Sequence, residues 1–148
     1  MNQTINNKCH VPKDIKVLLI LTDCSLNKLE ALTACDDACL NSTISRLATQ
    51  RGILIDRKKE PHVNQAGDVT YFTRYSLPDS QRKLAQRLIF PYLVKVLLAN
   101  QIKLEYVFRL EPDMIMVNGD MCQEVGTYLS DSLEAKAARL INPYRYKI

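Results

Sequence analysis

Apolar and polar positions along the chain predict three short helices followed by a β-hairpin. Residues 15–21 are almost entirely apolar, which indicates a buried first helix. Leucines at three-residue spacing within 26–32 indicate a second helix, with Ser25 as its N-cap. We expect Asp36 or Asp37 to cap the third helix, because a carboxylate at that end also favours the helix dipole.

The third helix, residues 41–51, has the clearest pattern. Its apolar side chains at positions 44, 47 and 48 share one helical face, and six polar side chains cover the rest of its surface. Those six residues are Asn41, Ser42, Ser45, Arg46, Thr49 and Gln50. Gly52 is expected to end the helix, since glycine adopts a left-handed conformation without a Cβ penalty.

A β-hairpin is predicted after that helix. Residues 53–55 open its first strand, and residues 69–77 have the β-branched and aromatic content of its second strand. The residues Arg57, Lys58 and Lys59 place three cations in a row, and the loop 61–68 forms a long tip. A polar helix face beside a basic hairpin suits duplex DNA, because the helix can enter the major groove while the hairpin follows the phosphates.

The order helix, helix, helix, strand, turn, strand in residues 16–77 resembles the winged helix-turn-helix domains common in phage and prophage proteins. The resemblance rests on residues 44–55, which end the third helix and enter the hairpin, and on a hairpin that closes with Tyr75-Ser76-Leu77. It covers about 40% of the chain. It implies an α+β fold, with a winged helix-turn-helix at 12–78 after a flexible N-terminus, residues 1–11.

Residues 79–148 are expected to form a mainly helical extension that contains a short hairpin. Asp79 is the candidate cap of a helix that Pro91 should kink or restart. Two strands, 103–110 and 114–117, would be joined by a turn at Glu111-Pro112-Asp113. Asp120 would cap a last helix with an apolar side formed by Val125, Leu129, Leu133, Ala137 and Leu140. That side can pack within its own chain or form a homodimer interface.

Charge is modest overall but unevenly distributed. The chain has a net charge of +4, and residues 46–87 contain nine Lys/Arg against four Asp/Glu. This concentration indicates an anionic partner, with a solvated surface as the alternative. The N-terminal sequence does not have the order of a secretion signal, and no apolar run is long enough to cross a bilayer. We therefore expect a cytoplasmic protein without membrane contact.

Catalytic and metal-binding patterns are weak. The chain has five cysteines but no Cys-x-x-Cys pair; a zinc site would have to combine Cys35 and Cys39 with His10 and His62, and reduced thiols are favoured. Cys122 lacks a basic partner that would activate it. No glycine-rich phosphate loop, nucleophile elbow or His-Glu-x-x-His pair occurs. We expect no cofactor, no metal and no enzymatic activity.

The expected function is sequence-dependent binding of double-stranded DNA, as a phage or mobile-element regulator. Arg46 and Gln50 can reach base edges, because Arg pairs with guanine and Gln with adenine. Further base or phosphate contacts are expected from Asn41, Ser42, Ser45 and Thr49. Backbone contacts are expected from Arg57, Lys58, Lys59 and Arg74. The alternative is a protein-binding adaptor or inhibitor built on the same scaffold, since a fold does not fix a function.

Overall fold

The computed structural model describes residues 10–104, 106–117, 120–129 and 131–143, and between 106 and 128 it describes the backbone alone. Within those residues the fold is mixed α+β, with five helices and two separate antiparallel hairpins. The elements are α1 Lys13–Leu21, α2 Lys28–Cys35, α3 Leu40–Arg51, β1 Asp56–Val63, β2 Val69–Ser76, α4 Asp79–Ala99, β3 Tyr106–Val117, β4 Asp120–Leu129 and α5 Asp131–Ile141. Of the N-terminus predicted to be flexible, residues 1–9 lie outside this description.

The predicted first helix is confirmed as the buried α1. The second helix begins later than predicted, with Asn27 rather than Ser25 as its N-cap. The Asn27 side chain accepts hydrogen bonds from the N–H groups of Leu29 and Glu30, and the Glu30 carboxylate accepts one from the Asn27 N–H. Ser25 could not be the cap, because Leu26 is extended and exchanges backbone hydrogen bonds with Tyr75 on β2.

The turn between α2 and α3 differs from the predicted capping. Asp36 ends α2 in a left-handed conformation with φ 57°, and Cys39 is the N-cap of α3. Asp37 is not the cap residue, but its buried carboxylate accepts the N–H of Cys39 and the hydroxyl of Thr43. It therefore holds the start of α3 from outside the helix. Gly52 ends α3 with φ 70°, as predicted.

The first hairpin is confirmed, with different bounds. β1 and β2 pair antiparallel from Asp56 opposite Ser76 to Val63 opposite Val69. Residues 53–55 do not open β1, because Ile53 and Ile55 are buried in the core ahead of the strand. The tip is shorter than predicted, since residues 61–63 belong to β1. The Asn64 side chain organises the remaining turn by accepting the N–H groups of Ala66 and Asp68.

The helix α4 connects the two halves of the chain. It runs unbroken through Pro91 instead of restarting there, and its N-cap is Pro78 rather than Asp79. It packs against α1 and α5. A single cluster of buried apolar side chains includes residues from each of the five described helices, α1 to α5. The Asn142 side-chain amide donates a hydrogen bond of 3.1 Å to the backbone oxygen of Lys16, which ties the end of α5 to α1.

The C-terminal hairpin is longer than predicted and replaces half of the predicted last helix. β3 and β4 pair antiparallel, with a shift in register between Leu110 and Met114. Glu111-Pro112-Asp113 therefore lies inside β3 at this irregularity and is not the turn. Residues 118–119, which precede the predicted cap Asp120, lie outside the described residues. The single helix predicted from Asp120 is wrong, because that segment is β4 and α5 begins at Asp131.

The apolar side predicted for that helix is divided between two elements. Val125 and Leu129 lie on β4, and the remaining three residues lie on α5. Leu129, Leu133 and Ala137 are buried within the single chain, whereas Leu140 is exposed. The side chain of Val125 lies outside the description. This burial agrees with packing inside one chain, the alternative that the sequence left open. The homodimer stays a prediction, with little exposed apolar surface at these positions to support it.

Candidate nucleic-acid interface

The helix α3 has one buried and one exposed face. Leu40, Thr43, Ile44 and Leu47 are buried, and α3 packs against α1. All six polar residues predicted for its outer face are exposed: Asn41, Ser42, Ser45, Arg46, Thr49 and Gln50. The structure thus brings these hydrogen-bonding groups together on one accessible surface of a 12-residue helix.

Arg46 is oriented by its neighbours on the inner side of the helix. Its Nη2 donates a hydrogen bond of 3.3 Å to the Thr43 hydroxyl, which in turn donates one of 2.6 Å to the buried carboxylate of Asp37. This chain of side chains restrains the exposed guanidinium before any ligand arrives. Restraint of a long side chain lowers the entropy cost of binding.

The position of α3 is fixed at its other end by Arg51. The Arg51 Nε donates a hydrogen bond of 2.6 Å to the buried carboxylate of Asp14 on α1. This bond raises the pKa of Arg51 above its ordinary value. The guanidinium also lies 6.0 Å from the centre of the Tyr92 ring on α4. The last turn of α3 is thereby attached to both α1 and α4.

The three cations of β1 are exposed and divided between two faces of the hairpin. Arg57 lies opposite Tyr75 and Lys59 opposite Thr73, whereas Lys58 lies opposite Arg74. Side chains alternate along a strand, so Arg57 and Lys59 share one face and Lys58 is on the other. The Arg57 guanidinium lies 5.8 Å from the centre of the Tyr75 ring.

Arg74, a predicted phosphate contact, belongs to a partly exposed network of ion pairs. Its guanidinium donates hydrogen bonds to Glu60 on β1 at 2.6 Å, and to Glu30 on α2 and the Ser25 hydroxyl at 2.9 Å each. Glu60 and then Glu30 raise the pKa of Arg74, and Arg74 followed by Asn27 lowers the pKa of Glu60. These bonds to two carboxylates and a hydroxyl hold the hairpin against α2. The predicted phosphate contact of Arg74 stays a prediction.

A groove of about 360 Å³ lies between the start of α3 and β2. Sequence reasoning missed it, although adjacent aromatic residues in a strand must point to opposite faces and so expose one ring. The Lys28 ammonium lies 4.7 Å from the centre of the Phe72 ring, and the His62 ring stacks on Phe72 with centres 4.6 Å apart. The residues that line the groove are Lys28, Ala38, Leu40, Asn41, Tyr71, Phe72, Thr73 and Tyr75.

In the described part of the chain, the candidate ligands Cys35 and Cys39 do not form a metal site. Cys35 is buried, its Sγ donates a hydrogen bond to the Ala31 oxygen, and burial followed by Asp37 raises its pKa to about 11. A thiol with this pKa is protonated and is a poor metal ligand. Among residues 10–104, 129 and 131–143, no group of three ligand-type side chains could hold a metal ion. The side chain of Cys122 lies outside the description.

None of the described helices is both long enough and apolar enough to cross a bilayer. Comparison with known proteins assigns no family to the chain: no protein-family model, curated protein or solved structure matches it.

Proposed function

We propose that this protein binds double-stranded DNA through a winged helix-turn-helix formed by residues 12–78. In this proposal α3 enters the major groove and the β1–β2 hairpin is the wing that contacts the phosphates. The observation that carries the proposal is the outer face of α3, on which six hydrogen-bonding side chains are exposed; the strand β1 adds three exposed cations. A helix with such a face fits the major groove, where each base pair presents its own pattern of donors and acceptors.

The attachment of the hairpin supports the winged-helix assignment. Three helices are followed by an antiparallel hairpin, the order of elements in that domain. Leu26, between α1 and α2, pairs with Tyr75 of β2 through two backbone hydrogen bonds. Arg74 adds ion pairs to Glu30 and Glu60. The hairpin is therefore held in a defined orientation next to the helices, as a wing must be if it contacts DNA together with α3.

Roles follow from position on this surface. Arg46 and Gln50 read base edges, since their side chains can form paired hydrogen bonds with guanine and adenine. Asn41, Ser42, Ser45 and Thr49 add base or phosphate contacts around them. Arg57 and Lys59 contact phosphates from one face of the wing. Lys58 contributes less to phosphate binding, because it is on the other face, beside the ion pairs of Arg74. Binding of this kind would make the protein a regulator, of the phage or mobile-element type that the resemblance implies.

The test is selection of duplex fragments from a random-sequence library, followed by sequencing of those retained. We expect the wild-type protein to enrich a shared motif at about 50 mM salt, where phosphate contacts are strong. Gln50→Glu places a carboxylate on the outer face of α3, where phosphates repel it, and should abolish retention. Gln86→Glu makes the same change at an exposed position of α4 and should retain the motif. No retained fragments for a folded wild-type protein would refute the proposal.

A protein-binding adaptor is the second candidate, and one observation favours it. The hairpin exposes three apolar side chains near its tip: Val63 is 63%, Val69 57% and Tyr71 67% exposed. Exposed apolar residues that lie together are typical of protein-binding surfaces. A folded protein that binds no duplex at low salt would favour this candidate over DNA binding.

A further inference from the structure

In the part of the chain that the structure describes, the outer edge of β2 is paired only at Tyr75. Tyr75 exchanges backbone hydrogen bonds of 2.7 and 2.9 Å with Leu26, so its N–H and C=O groups point away from β1. Backbone groups alternate in direction along an antiparallel strand, and the register of this hairpin has no shift. Tyr71 and Thr73 therefore also direct their N–H and C=O groups outward. Within the described residues, no backbone group pairs with them there.

The groove of about 360 Å³ runs beside this open edge. Tyr71 and Thr73 form one wall, and the first residues of α2 and α3, including Lys28 and Asn41, form the other. Leu26 already pairs with the same edge at Tyr75, two residues after Thr73, which shows that this side of β2 accepts a pairing strand. An open edge is a template for an added strand, and grooves beside such edges accept extended peptides.

The charge around the groove selects the chemistry of the strand. Lys28 lines it, and the exposed Lys59 lies opposite Thr73 in the hairpin. The lining includes no Asp or Glu. The nearby carboxylates of Glu30 and Glu60 are held in ion pairs with Arg74. The surroundings of the open edge are therefore positive and attract an acidic chain.

We propose that the groove binds an extended, acidic peptide segment of a partner protein, which adds to β2 as a strand and pairs with the backbone of Tyr71 and Thr73. Apolar side chains of the segment pack against the exposed Tyr71 ring, and its acidic side chains pair with Lys28 and Lys59. The proposal does not depend on DNA binding. Because Asn41 lines the groove, the bound segment would cover part of the proposed DNA surface and exclude a duplex from it.

The probe is a short acetylated peptide of alternating threonine and valine with glutamate at both ends, added to the ¹⁵N-labelled full chain. We expect the amide signals of Tyr71 and Thr73 to shift and their hydrogen exchange to slow. Phe72 and Arg74, whose N–H groups already point to β1, should keep their exchange rates. N-methylation of the peptide amides that face β2 should weaken binding about fivefold or more, because each removes a hydrogen bond. N-methylation of the alternate amides is the matched control and should have no effect.

Two variants of β2 test the edge from the side of the protein. Thr73→Pro removes an outward N–H inside the groove, whereas Val69→Pro removes an outward N–H farther along the same edge. Neither change removes a hydrogen bond of the hairpin, so proline is tolerable at both positions. We expect only Thr73→Pro to weaken peptide binding, with circular dichroism confirming the fold of both; if Thr73→Pro unfolds, the N-methylated peptides decide.

Charge is tested by Lys28→Gln, which should weaken binding of the glutamate peptide and leave a glutamine version unchanged. Three results would overturn the proposal. The first is no binding at millimolar peptide, the second is equal binding of both N-methylated peptides, and the third is a set of signal shifts confined to the outer face of α3.

Discussion

The guanidinium of Arg74 lies 2.6 Å from the carboxylate of Glu60, the residue diagonally across the hairpin from it. The same guanidinium reaches Glu30 in the first turn of α2. One side chain thus joins both strands of the hairpin to the helices. Arg74, which the sequence presents as a phosphate contact, therefore has a structural role, because its guanidinium is paired with two carboxylates.

We expect Arg74→Gln to lower the melting temperature and to speed amide exchange in the hairpin, because it leaves Glu30 and Glu60 without their partner. It should leave the salt dependence of duplex binding unchanged, because the Arg74 guanidinium is already paired with two carboxylates. Lys59→Gln is the control on the same hairpin. It should leave the melting temperature unchanged and weaken the salt dependence of duplex binding. A normal melting temperature for Arg74→Gln, together with a weaker salt dependence of duplex binding, would show that Arg74 contacts phosphate.

The stability of the protein should depend on the ionisation of Glu60. Arg74 and Asn27 lower its pKa below the ordinary 4.5, so the ionised form stabilises the folded protein. This contribution is fully present above pH 4.5 and is lost as the pH falls through the lower pKa of the folded state. Denaturation of wild type and Glu60→Gln across this range should show a stability difference that shrinks on acidification. A difference independent of pH would contradict the ion pair.

Arg51→Met should destabilise the protein by about 3 kcal/mol, because it leaves the buried carboxylate of Asp14 unpaired. Asp14→Asn removes the charge that Arg51 compensates. The double variant should therefore be less destabilised than the sum of the two single variants. Urea denaturation of the four proteins measures this coupling, and additive losses would show that the two residues do not interact.

The two faces of β1 should differ in their effect on duplex binding. Replacing Arg57 and Lys59 together by Gln should flatten the dependence of log affinity on log salt by up to about 2, near 0.9 for each lost phosphate contact. Lys58→Gln should change the slope little, because Lys58 is on the opposite face of β1 from Arg57 and Lys59, beside the ion pairs of Arg74. Titrations at several salt concentrations measure all three slopes. A larger effect of Lys58 would place the opposite face of the wing on the DNA.

The elements that the sequence predicts well are those with a strong local signal. The buried α1, the two faces of α3 and the left-handed Gly52 depend on residues within one or two turns of one another. The second strand of the first hairpin was equally clear from its β-branched and aromatic content. In these cases local preference and tertiary packing agree.

The elements that the sequence predicts wrongly depend on contacts between residues that are distant in sequence. Val125, Leu129 and Leu133 have four-residue spacing, which fits a helix, yet the first two lie on β4 and Leu133 lies on α5. Gly126, together with the β-branched and aromatic residues around it, was the available signal for a strand. The role of Arg74 could not be predicted, because Glu30 is 44 positions away and its approach follows from the pairing of Leu26 with Tyr75.

The affinity of Arg46→Ala for a selected duplex measures whether α3 reads DNA sequence. We expect the variant to bind that site about 1–3 kcal/mol more weakly than wild type and to lose preference at one base pair. Lys95→Ala removes an exposed cation from α4 and should bind as wild type does. Equal weakening on every duplex would assign Arg46 to a phosphate contact, and unchanged affinity for the selected site would show that Arg46 of α3 does not contact the DNA.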